Sequence, residues 1–235
     1  MLKKEDREKI IFSADDFGVN ELTDSNILKL AQIGKLDRVE IMINSRIRKE
    51  DALNLANTGV KLDIHLHLIE YDSDYWKGKR NLERGIAERI FLFMWNYTFG
   101  ENNPRKVALK WENQIKKFKE IFGRYPDGIG SHEHIHYFPF YFNTLLSLSA
   151  KYKIFYVRFG RRNFRSTCLI GKILNILRFI NQRQFKKTNF ETSDFMLSFD
   201  WFSDLNFLSE IPKGENSEVV FHPEKVEEFS FLEKM

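Results

Sequence analysis

The chain has 235 residues, of which 43% are hydrophobic, 15% aromatic and 30% charged, and its net charge is +4. That much apolar material in that length supports a folded α/β domain with a buried core and excludes an intrinsically disordered chain. A single cysteine, Cys168, excludes an intrachain disulfide, and no apolar run of about 18 residues offers a membrane span.

The charged start, Met1 to Lys9, leads into a short apolar run that reads as a first strand rather than a secretion signal, so a reducing, cytoplasmic compartment is expected. Strand-like runs follow at 9–14, 39–43, 60–67, 128–132, 154–159, 195–199 and 219–222. Helical patterns separate most of them, at 21–32, 49–57, 106–122, 140–151, 169–182 and 202–211, and Gly34, Gly59 and Gly123 fall where C-terminal caps belong. Strand alternating with helix predicts a largely parallel sheet in one domain spanning 1–235. Periodicity fits a doubly wound sheet or an irregular (β/α) barrel of about seven parallel strands. The polar residues favour the barrel, because Asp15-Asp16, His65 with His67, His132 and His222 all end predicted strands, where such barrels assemble their sites. The connection from Ile69 to Pro104 is rich in aromatics, including Tyr71, Tyr75, Trp76 and Trp95, and reads either as a cleft wall or as packing on the barrel.

From Lys151 to Phe190 there are eleven Lys and Arg and no Asp or Glu. Within that block Ile173, Ile176, Leu177 and Ile180 keep helical spacing beside Lys172, Arg178 and Arg183. An ordinary packing helix with a solvated basic face has this pattern, and so does a surface for peripheral contact with an anionic membrane or a phosphate-bearing substrate. No nucleic-acid-binding motif accompanies the block, so nucleic acid is not an expected partner.

Five of the six histidines fall in two clusters, His65-Leu66-His67 and Ser131-His132-Glu133-His134-Ile135-His136. Two histidines two apart on a strand share a face and are suited to metal ligation. Adjacent carboxylates at Asp15-Asp16 are costly unless a cation or proton offsets them, which suits one Asp on a metal and the other as a base, although capping of the next helix is the plain alternative. Geometry in sequence does not say which histidines ligate and which contact substrate. His222, before Pro223, adds an imidazole suited to proton transfer near neutral pH. There is no Gly-x-Ser-x-Gly elbow, Gly-rich phosphate loop or dinucleotide fingerprint, and Asp16-Phe17-Gly18 lacks the other protein-kinase motifs.

The ordered set of Ala14-Asp15-Asp16-Phe17-Gly18, Ile64-His65-Leu66, Phe118 to Pro126, Ser131 to His136 and Phe221-His222-Pro223 resembles the YdjC-like family of carbohydrate deacetylases. The resemblance implies an irregular (β/α) barrel akin to the polysaccharide deacetylase and glycoside hydrolase barrels. It also implies metal-dependent hydrolysis of an N-acetyl group from an amino sugar in an oligosaccharide, polysaccharide precursor or glycolipid. One divalent ion, Mg2+ or Zn2+, would be held by Asp16, His65 and His132, with Asp15 as general base and His222 as proton donor. His67, His134 and His136 would contact substrate, and a homodimer is the assembly expected. Two positions depart from the family pattern: Asp63 stands where Gly is common, and Gly130 where an Asp is common. The competing readings are a metal-dependent hydrolase of another bond, such as a phosphoester, and a non-catalytic sugar-binding relative.

Overall fold

The first strand, β1 (Ile10–Phe17), is almost wholly buried, and its neighbours repeat one arrangement around it. The computed structural model describes residues 7–43, 47–68, 102–202 and 207–235, without the side chains of 207 and 208, so the aromatic segment 69–101 lies outside the described residues. Chain order continues α1 (Glu21–Gln32), β2 (Arg38–Ile41), α2 (Lys49–Ala56), β3 (Lys61–Leu66), α3 (Pro104–Phe122), β4 (Gly128–Ser131), a 3-10 turn (His132–Tyr137), α4 (Pro139–Tyr152), β5 (Tyr156–Val157) and β6 (Asn163–Phe164). It ends with α5 (Leu169–Phe185), β7 (Phe195–Ser198), a short 3-10 turn (Phe199–Trp201), α6 (Phe207–Glu210), β8 (Ser217–Phe221) and α7 (Val226–Lys234). Helix limits follow local chemistry. The Asn20 side chain accepts from the Thr23 amide to start α1, Pro104 opens α3 behind an Asn103 cap, and Gly123 closes α3 at φ 72°.

All strand pairs are parallel, in the order β5-β4-β3-β2-β1-β8-β7-β6. The two ends of that order are consecutive in the chain. Between them, the Val157 amide donates to the Glu191 carbonyl, the Glu191 amide to the Phe155 carbonyl, and the Arg161 amide to the Ser193 carbonyl. The bent segment 156–164 therefore touches β4 at its start and the approach to β7 at its end, which is the irregular barrel expected. It also explains why seven strand-like runs become eight short strands: the run expected at 154–159 is split, and β6, two residues long, carries no periodic signal. Helix α7 and the true start of α6 were likewise not expected.

Alternation along the strands sorts side chains into two environments. Val39, Ile41, Leu62, Ile64, Leu66, Val219 and Phe221 join a continuous apolar core with Trp111, Ile115 and Phe118 of α3 and with Ile27 and Leu30 of α1. The other face of the same strands carries Ser13, Asp15, Arg38, Glu40, Asp63, His65, Arg158 and Glu218, all buried. The barrel interior is thus ionic, and its lower layer shows how such groups survive burial. Arg38 makes a two-pronged pair with Asp63, Nε to Oδ2 at 2.6 Å and Nη2 to Oδ1 at 2.7 Å, while its guanidinium lies 3.7 Å from the Tyr156 ring centroid. Tyr156 donates to Glu218 Oε2 at 2.7 Å. Gly128 supplies the room, since a Cβ there would lie 2.6 Å from Arg38 Nη2 and 2.7 Å from Asp63 Oδ1. No helix among the described residues is long and apolar enough to cross a membrane.

Candidate metal centre

Above the Arg38–Asp63 layer, at the C-terminal ends of the strands, the expected groups converge from three strand ends. Asp16 reaches the cluster because its φ is 72°, a left-handed conformation at an irregularity in the β1–β2 register, which turns its side chain toward the site although Asp15 precedes it in the strand. Gly18 completes the turn at φ 100°, where its amide donates to Asp24 Oδ1. Asp16 Oδ1 lies 3.0 Å from His132 Nδ1 and 3.4 Å from His65 Nε2, and ligand atoms of these three residues all fall within 4.8 Å of one another. A metal bound at about 2.0–2.2 Å by N and O donors sets neighbouring donors roughly 3.0–3.5 Å apart, so the two contacts match the edges of a coordination polyhedron. Two imidazoles and a carboxylate are also a donor set that transition ions favour.

The other ring nitrogen of His65 is held as ligating imidazoles usually are: Nδ1 donates to Glu40 Oε2. Glu40 was not singled out from the sequence. Its side chain fills the space left by Gly130, where a Cβ would overlap Glu40 Oε1. A carboxylate reaching across from β2 therefore takes the space that a side chain at position 130 of β4 would fill. Arg158, also missed, is 1% exposed and ties the cluster together. Its Nη1 donates to Asp15 Oδ1 and Oδ2 at 2.8 and 2.7 Å and lies 2.9 Å from Glu40 Oε2; Nε donates to Glu218 Oε1 at 2.9 Å and Nη2 to Ser13 Oγ at 2.6 Å. The signal available for Glu40 and Glu218 was a charge alternating with apolar residues inside a buried strand, Arg-Val-Glu-Ile and Ser-Glu-Val-Val-Phe.

Asp15, Asp16, Glu40 and Glu218, four buried carboxylates, face one guanidinium, an imbalance that protons or a cation must offset. Burial raises Asp15, but Arg158, His65 and His222 outweigh it and hold its carboxyl below the usual range. Burial likewise opposes ionisation of Asp16, yet the hydrogen bond and charge of His132, with His65 and His222, hold it well below 3.8. Glu40 goes the other way: burial pushes it well above 4.5, Arg158 opposes, and Asp15, Asp63 and Glu218 add to the rise. Burial depresses His65 to about 4 against the pull of Asp15 and Asp16, so it is a neutral ligand over most of the pH range. His132 and His222 are raised above 6.5, because the acids around them outweigh burial: Asp16 at His132, and Asp15, Asp16, Glu228 and Asp200 at His222.

The remaining histidines part company. His136 is fully buried, its Nδ1 accepting from Ser131 Oγ at 2.6 Å and its Nε2 donating to the Arg158 carbonyl at 2.9 Å. With both nitrogens engaged it has no atom left for substrate, contrary to the expectation from sequence, and it ties the histidine turn to β5. His67 Nε2 donates to the Ile43 carbonyl at 3.1 Å and its backbone is clasped by Gln114, again a holding contact. His134 is different: its Nδ1 is buried without a hydrogen-bond partner among the described residues, and its ring meets Trp201 edge-on at 5.6 Å. His222 Nδ1 also makes no hydrogen bond among the described residues, although it lies 3.9 Å from Glu228 Oε2, to which the His222 amide donates at 2.6 Å.

Fold and site together define a parallel α/β barrel with a carboxylate–imidazole cluster at the C-terminal ends of its strands. Residues 9–231 match the family described as YdjC-like protein, and the chain belongs to that family. It is 26% identical over 146 residues, 60% of this chain and 56% of the relative, to a chitooligosaccharide deacetylase from Escherichia fergusonii. It is 24% identical over 149 residues, 62% of this chain and 58% of the relative, to a carbohydrate deacetylase from Clostridium beijerinckii. These matches span between half and two thirds of the relatives' lengths. Among solved structures, a candidate cellobiose-phosphate cleavage protein from Enterococcus faecalis V583 has the same fold, with a TM-score of 0.59 at 17% identity over 91% of this chain and 80% of that one.

Proposed function

We propose that this chain is a metal-dependent hydrolase that removes the N-acetyl group from an amino sugar. The observation that carries the reading is the Asp16, His65 and His132 set, with its 3.0 and 3.4 Å contacts; beside it, against the effect of burial, Arg158 holds the Asp15 carboxyl below the usual range and the surrounding acids raise His222. The names of the two relatives supply the substrate class. Bound between Asp16 Oδ1, His65 Nε2 and His132 Nδ1, a divalent ion such as zinc would polarise the amide carbonyl and acidify a water. Asp15 would take the proton from the attacking water. Arg158 keeps its carboxylate ionised and fixed in direction through both oxygens, at 2.8 and 2.7 Å. His222, whose pKa the surrounding acids raise, would give its proton to the departing amine nitrogen, which would otherwise leave as an unstable anion. The unpartnered His134 Nδ1 beside Trp201 is suited to hold a sugar hydroxyl or the acetamido group.

The test is acetate release from N-acetylglucosamine oligomers by the zinc-loaded protein, with phosphate release from sugar phosphates measured in parallel. Acetate release that falls about 10²–10⁴-fold in Asp15→Asn, with metal content unchanged, supports the reading. Phosphate release without acetate release would replace it with a phosphoester hydrolase.

A further inference from the structure

Helix α5 is amphipathic twice over. Gly171, Leu174, Arg178, Asn181 and Phe185 form its buried face. Leu169, Ile173, Ile176 and Ile180 repeat at the same helical spacing on the opposite side, joined by Ile170 and Phe179, and all six are exposed, Leu169 at 70%, Ile176 at 62% and Phe179 at 71%. The twelve residues from Leu169 to Ile180, at about 1.5 Å each, make this an apolar stripe about 18 Å long, where exposed apolar residues on a folded surface are ordinarily scattered singly. Exposed Lys172 and Arg183 flank the stripe, exposed Lys186 and Lys187 stand at its end, and none of the four has a carboxylate partner among the described residues.

The charge decides the occupant. A second copy docked stripe to stripe would set this rim against itself, with no Asp or Glu from Lys151 to Phe190 to neutralise it. An anionic bilayer satisfies both halves of the surface, its acyl boundary taking the isoleucines and phenylalanine and its headgroups the lysines and arginine. We propose that α5 is a peripheral docking face for an anionic lipid surface. Its position fits. Thr167, just before the helix, donates to the Trp201 carbonyl at 2.8 Å, and Trp201 lies against His134. At mid-helix, Asn181 Nδ2 donates to the Tyr137 carbonyl at 2.6 Å. The stripe therefore begins at the rim of the metal site and backs onto the histidine turn, which would bring the site to a lipid surface. The proposal does not depend on which bond the site hydrolyses.

The test is co-sedimentation of the full chain with vesicles of phosphatidylcholine alone or mixed with phosphatidylglycerol. The wild type is expected to partition onto the anionic vesicles at least tenfold more strongly than onto phosphatidylcholine, and to be released by 0.5 M salt, a concentration at which the Debye length has shrunk to about 4 Å. The Ile173→Gln, Ile176→Gln, Phe179→Gln variant is expected to lose at least tenfold in binding. Lys172→Gln with Arg183→Gln should lose the anionic preference. All five positions are exposed, so unchanged circular dichroism keeps the comparison fair. Equal binding by the wild type and the triple-Gln variant would overturn the proposal. So would failure to bind either vesicle, with a sedimentation-equilibrium dimer that the same substitutions dissociate, which would assign the stripe to a second copy.

Discussion

At the scale of single residues, Glu40 holds His65 Nδ1 and so leaves Nε2 for the proposed metal. Glu40→Gln keeps the shape but replaces the carboxyl acceptor with an amide, and metal affinity is expected to fall about 10–100-fold, read by competition against a chromophoric chelator. Gly130→Ala should lower affinity as well, because its methyl would overlap the Glu40 carboxylate. An unchanged chelator midpoint in both would remove Glu40 from the account. His222 gives a second prediction. Its pKa is raised, so the proton it donates is present below that value and lost above it; kcat should decline as pH rises past the raised pKa, and His222→Gln should be low throughout with no alkaline limb. Asp15 is depressed, so the acid limb of the free base should lie below the ordinary Asp value of 3.8. That acids and imidazoles gather at predicted strand ends is legible in the sequence, but the choice of Asp16, His65 and His132 among them came only from the family resemblance. Glu40, Arg158 and Glu218 are not legible, because each is an isolated acid or base with no motif around it. Inward-facing charge shows only when every strand is checked for period-two alternation.

At the scale of elements, the site depends on chain segments that leave regular geometry. β1 ends with Asp16 in the left-handed region, and the turn after β4 holds Glu133 and His134 at φ 52° and 54°. Such conformations cost about 1 kcal/mol or more for ordinary residues, and Asn tolerates them best after Gly. Glu133 is exposed and reaches the site only through its charge, which adds to the acids that raise His132, so Glu133→Asn is expected to raise Tm slightly. A lowered Tm would show that the turn is held some other way. These turns were invisible in the sequence, where His132 reads as the end of a strand. The helices were clearer: α1 has the limits expected, and the glycines at 34, 59 and 123 all have positive φ. Strand β5 is shorter than the run at 154–159 predicts because the backbone turns there toward Glu191 and Ser193.

At the scale of the molecule, the barrel is held from inside by ion pairs as well as by the apolar layer beneath its helices. Arg158→Met would leave Asp15, Glu40 and Glu218 buried without their cation, at a cost of about 3–5 kcal/mol, and a fall in the chemical-denaturation midpoint checks it. Acid should act through the histidines. His65, depressed to about 4, and His136, depressed well below 6.5, are neutral when folded. The unfolded chain therefore binds more protons, and their contribution, fully present above pH 6.5, is lost as pH falls toward 4. His132 and His222, with raised values, act in the opposite sense. A metal would reinforce the loss, since protonated imidazoles cannot ligate.

Whether Asp16, His65 and His132 hold one divalent ion is decided by metal content, read by elemental analysis after equilibration with zinc or magnesium and gel filtration. About one ion per chain is expected in the wild type, retained in Asp15→Asn and lost in Asp16→Ala and in His132→Ala while all variants stay folded. A wild type that holds no more metal than those two alanine variants would contradict that assignment.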